Sequence, residues 1–202
     1  MMRKRWYDYL WIWSILFFAL GFFNILFAWL GLIDFLVPLL FAIIGGNKMF
    51  CNRYCGRGQL FSVLGGTLKF SRNKKVPGWL SSKWFRYGFL AFFLAMFGNM
   101  LFQTWLVARG ANSLTEAIQL FWTLKLPWDW AYTAGMVPDW VAKFSFGFYS
   151  LMLTSTLIGL IVMALYKPRT WCAFCPMGTM TQGICKIKRD KDESAPLPTA
   201  HE

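Results

Sequence analysis

Long apolar runs divided by short basic stretches set the pattern of the chain. From about Tyr9 to Leu32 almost every position is apolar, with no wet face at helical spacing. A second, shorter run covers about Ile33 to Ile44, contains Pro38 and stops at Gly45-Gly46. A third covers Tyr87 to Val107, and a fourth Phe144 to Tyr166. About 20 such residues cross a bilayer as a helix, so the pattern predicts four transmembrane helices. Pro38 is tolerable where neighbouring helices satisfy the freed backbone. Gly98 and Asn99 interrupt the third run, where small or polar residues usually face another helix.

The connections carry their own signals. Gln59–Leu64 reads as a short helix near the membrane surface, and Lys69–Arg86 as a basic, polar link with a turn at Pro77-Gly78. In the longest connection, Arg109 to Lys143, Ser113-Leu-Thr-Glu116 has the form of a capping box ahead of an apolar-faced segment ending near Leu124. Trp122, Trp128, Trp130, Tyr132 and Trp140 in the same connection suit an aromatic belt. The tail from Lys186 to Glu202 is charged and is expected to be mobile.

Composition supports this reading. Of 202 residues 57% are hydrophobic and 15% charged, against about 25% charged in a soluble domain. Twelve Trp and 21 Phe exceed what a small soluble core hides. The expected fold is an all-α integral membrane protein, residues 1–188, followed by a charged tail, 189–202. The formal net charge of +12 concerns orientation rather than nucleic acid, because the basic residues flank apolar runs. The leader Met1–Arg5 resembles the start of a signal peptide, but the apolar run is too long and no small-x-small site ends it. An uncleaved first helix follows. With four helices, 18 of the 21 basic residues fall on the side of the N-terminus, and only Arg109, Lys125 and Lys143 on the other. That bias places both termini in the cytoplasm and the protein in the cell membrane.

Chemistry concentrates in two stretches, Cys51-Asn-Arg-Tyr-Cys55-Gly-Arg-Gly58 and Cys172-Ala-Phe-Cys175-Pro-Met-Gly178. Each follows an apolar run and opens a predicted helix, at the cytoplasmic face by the charge bias. The order of features occurs twice: Phe50 matches Trp171, Cys51 matches Cys172, Cys55 matches Cys175 and Gly58 matches Gly178. A duplication into halves of about 9–70 and 86–188, related by an axis along the membrane normal, brings the thiol pairs face to face. Thiolates are soft ligands for iron–sulfur clusters, zinc or copper(I). Pro176 fits the first turn of a helix, and Gly56, Gly58 and Gly178 let backbone N–H groups approach sulfur. Lys48, Arg53, Arg57, Lys167 and Arg169 either surround an anionic centre or mark topology and lipid phosphate contact. Phe50, Tyr54, Trp171 and Phe174 either keep water off the site or belong to the interface.

One histidine, His201, leaves no ligand set for a membrane haem or a Rieske centre. Three readings of the thiols remain. The first is an electron carrier with one cluster, 4Fe-4S favoured and 2Fe-2S open, held by Cys51, Cys55, Cys172 and Cys175. The second is a quinone-coupled thiol–disulfide oxidoreductase, although that chemistry belongs on the oxidising side of a membrane. The third is a structural four-cysteine zinc site. Cys185, the fifth thiol, reads as a buried spare or a substitute ligand. Asp34, in the second run, reads as a helix cap or as a proton or quinone group. No phosphate loop, nucleophile elbow or dinucleotide fingerprint occurs.

Cys-Pro-x-Gly after a membrane helix, with a Cys-Gly-x-Gly counterpart, resembles the membrane-bound 4Fe-4S binding domain of ferredoxin-type proteins, the group of NapH and NosR. The likeness covers about Tyr9 to Lys188. It implies electron transfer at the cytoplasmic membrane with flavin or iron–sulfur partner subunits, and a link to quinone. The chain departs from the pattern at Gly56, where proline is expected, and in having two rather than three residues between Cys172 and Cys175. It also lacks the appended Cys-rich ferredoxin-like domain, so it resembles the bare membrane core.

Overall fold

The computed structural model describes residues 9–46, 50–114, 117–120, 124–132, 135 and 137–194, with the side chains of 52, 129 and 190–194 excepted. The first apolar run is not one helix. Helix α1, Leu10–Phe23, stops at Asn24, whose backbone is extended (φ −146°, ψ 118°) and whose side-chain oxygen accepts the Leu26 N–H at 2.9 Å. An asparagine offers the backbone this local alternative to a helix. A 3-10 turn, Ile25–Trp29, then leads into α2, Leu30–Gly45, which Gly46 closes in the left-handed region (φ +61°). The predicted boundary at Leu32 therefore lies inside a helix.

Three stretches, Ile25–Gly45, Lys83–Ala108 (α4) and Asp139–Leu165 (α5), are long and apolar enough to cross a membrane. The 14-residue α1 is about 21 Å long at 1.5 Å per residue, short of a roughly 30 Å hydrocarbon core. Among the described residues three stretches therefore have the length of a span, and α1 is a shorter apolar helix beside them. Helix α5 is the central post, with 56% of its apolar stretch buried against 28% for α4. Ile33, Ile43, Ile44, Phe102 and Ile161 stay exposed on the outside of the bundle, as lipid contact requires.

The ends of the bundle differ. At one end a hairpin, β1 (Ala117–Leu120) and β2 (Leu124–Pro127), pairs Gln119 with Lys125 and packs Ile118 and Leu120 inward. The chain is mostly helical but not all-α. The helix expected toward Leu124 is a strand because alternate residues find a buried face against α5. Thr115, Glu116 and Trp122 lie outside the described residues. At the other end the basic residues gather, with α3 (Gly56–Ser62), a π-helical turn (Val63–Thr67) and α6 (Pro176–Ser194). Helix α3 packs inward through Phe61, which is fully buried among Leu80, Met163, Trp171 and Phe174. Helix α6 runs on to Ser194, through part of the tail expected to be mobile; the leader and residues 195–202, His201 among them, lie outside the described residues.

Glycine marks where helices touch, though not where the interrupted third run suggests. A Cβ on Gly98 meets nothing within 4 Å, whereas one on Gly159 meets the Phe61 ring at 2.5 Å and Trp171 at 3.2 Å. Gly21 similarly seats the Tyr149 ring.

Candidate metal centre

The two cysteine arms are built alike. In the first, a π-helical turn, Phe50–Tyr54, leads to Cys55 in extended backbone (φ −69°, ψ 107°), and α3 starts at Gly56. In the second, a 3-10 turn, Thr170–Ala173, leads through Phe174 to Cys175, and α6 starts at Pro176. The carbonyl of the second cysteine accepts the backbone N–H four residues on in both arms, Gln59 to Cys55 at 3.0 Å and Thr179 to Cys175 at 2.9 Å. The two arms thus share the hydrogen bond that opens the helix after each cysteine pair, while the turns before them differ. The departure at Gly56 has a steric cause: a Cβ there meets the Leu10 carbonyl oxygen of α1 at 2.9 Å, closer than a proline tolerates. Pro176 spares an N–H that the helix leaves unpaired.

All four thiols line one cavity of about 350 Å³. A Cβ on Gly58 lies 3.7 Å from both Cys55 Sγ and Cys172 Sγ, so the sulfurs of different arms stand within twice that distance of each other. Cys51 Sγ lies 3.7 Å from Thr181 Oγ1 of α6, joining the first arm to the helix of the second. The cavity is not beyond the helix ends. It reaches Asp34, near the middle of the Ile25–Gly45 stretch, and Met152 and Ser155, near the middle of α5. Trp171 and Phe61, one from each arm, both fold back onto Gly159 of α5, which holds the arms inside the bundle.

The electrostatics follow from this burial. Burial pushes the Cys172 thiol up to about 12; Cys55, Cys175 and Cys51 add to the rise, and Arg169 opposes it. Cys172 is exposed to the cavity between the arms. Burial also pushes Cys175 up to about 11, against the backbone N–H groups of Gly178 and Met177 and the charge of Arg57, with Cys55 adding to the rise. Both thiols hold their protons at neutral pH until a cation in the cavity draws them off. Arg57 is held by Nη1 donating to Ser155 Oγ at 2.9 Å and by Nη2 against Met152 Sδ. Arg169 Nε donates to Ser62 Oγ at 2.8 Å.

The arrangement of the thiols agrees with the comparison to known families. Residues 27–77 and 150–192 match the 4Fe-4S binding domain family. Each matched stretch contains one cysteine arm, with the end of the helix before it and the start of the helix after it. No curated protein and no solved structure matches the chain. The match supports an iron–sulfur cluster as cofactor, with the four-iron form favoured.

The residues present fit a 4Fe-4S binding domain. The donor set is soft, and Gly58 leaves open the space between Cys55 and Cys172 that a side chain would enter. Arg86 lines the cavity with its Nε buried and without a partner, while its Nη2 donates to Gln182. An orphan guanidinium N–H beside four thiols is a donor suited to an anionic centre.

The site residues named from sequence divide by place. Cys51, Cys55, Cys172, Cys175, Gly56, Arg57, Gly58, Pro176 and Gly178 all line the cavity. Arg169 acts on Cys172 from its rim. Arg53 is exposed and does not line the cavity; Lys48 lies outside the described residues. Trp171 and Phe174 are core rather than interface residues. Cys185 is half-buried and lines a different hollow beside Gly45 and Gly46. Asp34 is no helix cap: it lies inside α2, accepts Trp13 Nε1–H at 3.1 Å, faces the cavity and feels the charge of Arg57. Reading the sequence also missed Arg86, Ser155 and Thr181. For Ser155 the available signal was a polar residue within an apolar run; Arg86 and Thr181 lie in polar stretches that did not set them apart.

Proposed function

We propose that this chain is a membrane-embedded electron-transfer protein holding one iron–sulfur cluster between Cys51, Cys55, Cys172 and Cys175. The observation that carries it is the convergence of two like-built arms, 121 positions apart by the spacing of Cys51 and Cys172, on one cavity. A 4Fe-4S cluster bound there supplies one-electron transfer without making bonds on a substrate. The Gly178 and Met177 N–H groups donate to the Cys175 sulfur, Arg57 and Arg86 place positive charge at the cavity wall, and Trp171 and Phe174 exclude water. The N–H donors and the positive charge favour the reduced state, while the exclusion of water opposes it. A structural zinc ion is less well served: among the described residues no three Cys, His, Asp or Glu side chains are gathered as one ion requires. A cluster spans thiols that stand further apart.

The reading extends to a core like that of NapH and NosR, in the cell membrane, with both termini cytoplasmic. Electrons pass between a quinone or a flavoprotein partner and a further redox subunit. The test is iron and sulfide analysis with electron paramagnetic resonance on anaerobically purified, dithionite-reduced protein. About four irons per chain and a fast-relaxing signal, both lost in Cys51→Ser and Cys175→Ser, are the expected result. Two irons retain the function with a smaller cluster. One zinc and no iron refutes electron transfer, and a metal-free protein with a quinone-reducible disulfide makes it a thiol oxidoreductase.

A further inference from the structure

A second cavity, of about 240 Å³, opens between α4, α5 and β1 at the hairpin end. It shares no lining residue with the cysteine cavity. Its polar wall consists of Asn99 and Gln103 from α4, Gln119 from β1, and Lys143 and Ser150 from α5. Polar and charged groups within such apolar helices are costly unless they meet a partner or line a pathway.

The groups there include amide donors and one cation, Lys143. Asn99 and Gln103 stand one helical turn apart on α4. The Gln103 carbonyl oxygen is taken by Asn112 Nδ2 at 3.4 Å, which leaves its NH2 for the cavity. Ser150 Oγ is already engaged, accepting the Gln119 backbone N–H at 3.0 Å and donating to the Phe146 carbonyl at 2.7 Å. It fixes the strand against α5. Lys125 is the direct cross-strand partner of Gln119, so the two side chains share a face of the hairpin. Its charge acts on Lys143. Positive charge gathered on this side of the hairpin favours a bound anion. Among the described residues no carboxylate lines the cavity.

We propose that this cavity binds a tetrahedral oxyanion of the phosphate class. Lys143 in the cavity wall neutralises its charge, Lys125 adds positive charge from outside the wall across the strand from Gln119, and the Asn99 and Gln103 amides donate to its oxygens. The volume matches roughly eight liquid waters at about 30 Å³ each, room for such a group and part of its hydration. The phosphate is either free in solution or the headgroup of an anionic phospholipid, and one set of variants separates the two.

The full chain, in non-ionic detergent and chloride buffer, is titrated with inorganic phosphate at constant ionic strength. Heat of binding and unfolding temperature are followed. Phosphate is expected to bind and to raise the unfolding temperature. Lys143→Gln should weaken binding at least tenfold and the exposed Lys125→Gln severalfold, while Lys74→Gln at the opposite end leaves it unchanged. In nanodiscs, native mass spectrometry counts retained phosphatidylglycerol. A lipid kept by the wild type and lost from Lys143→Gln makes the headgroup the ligand; phosphate binding without retained lipid makes it the free ion. Equal binding by wild type and both lysine variants, or no binding of either ligand, overturns the site. Glu116, outside the described residues, precedes Ala117 of the cavity wall. Phosphate binding that arises only in Glu116→Gln would overturn the proposal in favour of an internal carboxylate. Binding unaltered by that substitution supports it.

Discussion

Gly159→Ala tests how the two arms are held. The added Cβ lies 2.5 and 2.7 Å from atoms of the Phe61 ring and 3.2 Å from Trp171 Cδ2. Phe61, 0% exposed, is packed on all sides, while Trp171, 3% exposed, borders the cysteine cavity and has some room to shift. Overpacking of this kind costs about 1–3 kcal/mol, while alanine regains up to about 1 kcal/mol of helix propensity over glycine. The net expectation is a loss of about 1–2 kcal/mol. Gly98→Ala is the control: with nothing within 4 Å of its Cβ, only the propensity gain remains, and the sign reverses. Reversible unfolding in mixed micelles measures both. Phe61→Leu in the Gly159→Ala background should recover part of the loss, giving a coupling of about 0.5–3 kcal/mol. Cluster content should track the same series, because both rings belong to cysteine arms. A neutral Gly159→Ala, or strict additivity with Phe61→Leu, would refute the packing argument.

Other expectations follow from the same structure. With their pKa values raised to about 12 and about 11, Cys172 and Cys175 of cluster-free protein should alkylate slowly at pH 8 and faster as pH climbs toward 11. For the same reason the cluster-free fold binds more protons than the unfolded chain above pH 9. Its stability is therefore fully present below about pH 9 and declines as pH rises through 11–12, readable by denaturant titration at several pH values. Arg57→Gln should retain the cluster while lowering its midpoint potential by on the order of tens of millivolts, and Asp34→Asn should raise it; potentiometry reads both, and equal signs would refute the electrostatic account. Asn24→Ala removes the side-chain acceptor for Leu26 N–H and should cost about 1 kcal/mol, with circular dichroism reporting whether α1 and α2 fuse.

The two cysteine arms were readable from residue order because a cysteine pair followed by a helix start is a local feature. Cys51, Cys55, Cys172 and Cys175, and the matching of their arms, needed only spacing and turn chemistry. The apolar runs were likewise legible, since length and hydropathy alone decide whether a helix spans lipid. Local bonding was harder to anticipate. Asn24 divides a run that reads as continuous, because one side-chain hydrogen bond outweighs the propensity of its neighbours. The segment after Ser113 became a strand, because burial of Ile118 and Leu120 against α5 prevailed over a capping pattern.

Sequence alone determined which thiols exist, how each arm turns, and how strongly the chain favours an apolar surrounding. Tertiary structure decided the depth of the arms, the seating of Phe61 and Trp171 on Gly159, and the inward turn of Asp34, Arg57 and Arg86. These depend on contacts between segments far apart in the chain. A glycine facing lipid and a glycine under a ring are the same letter, and only the neighbour that approaches tells Gly98 from Gly159.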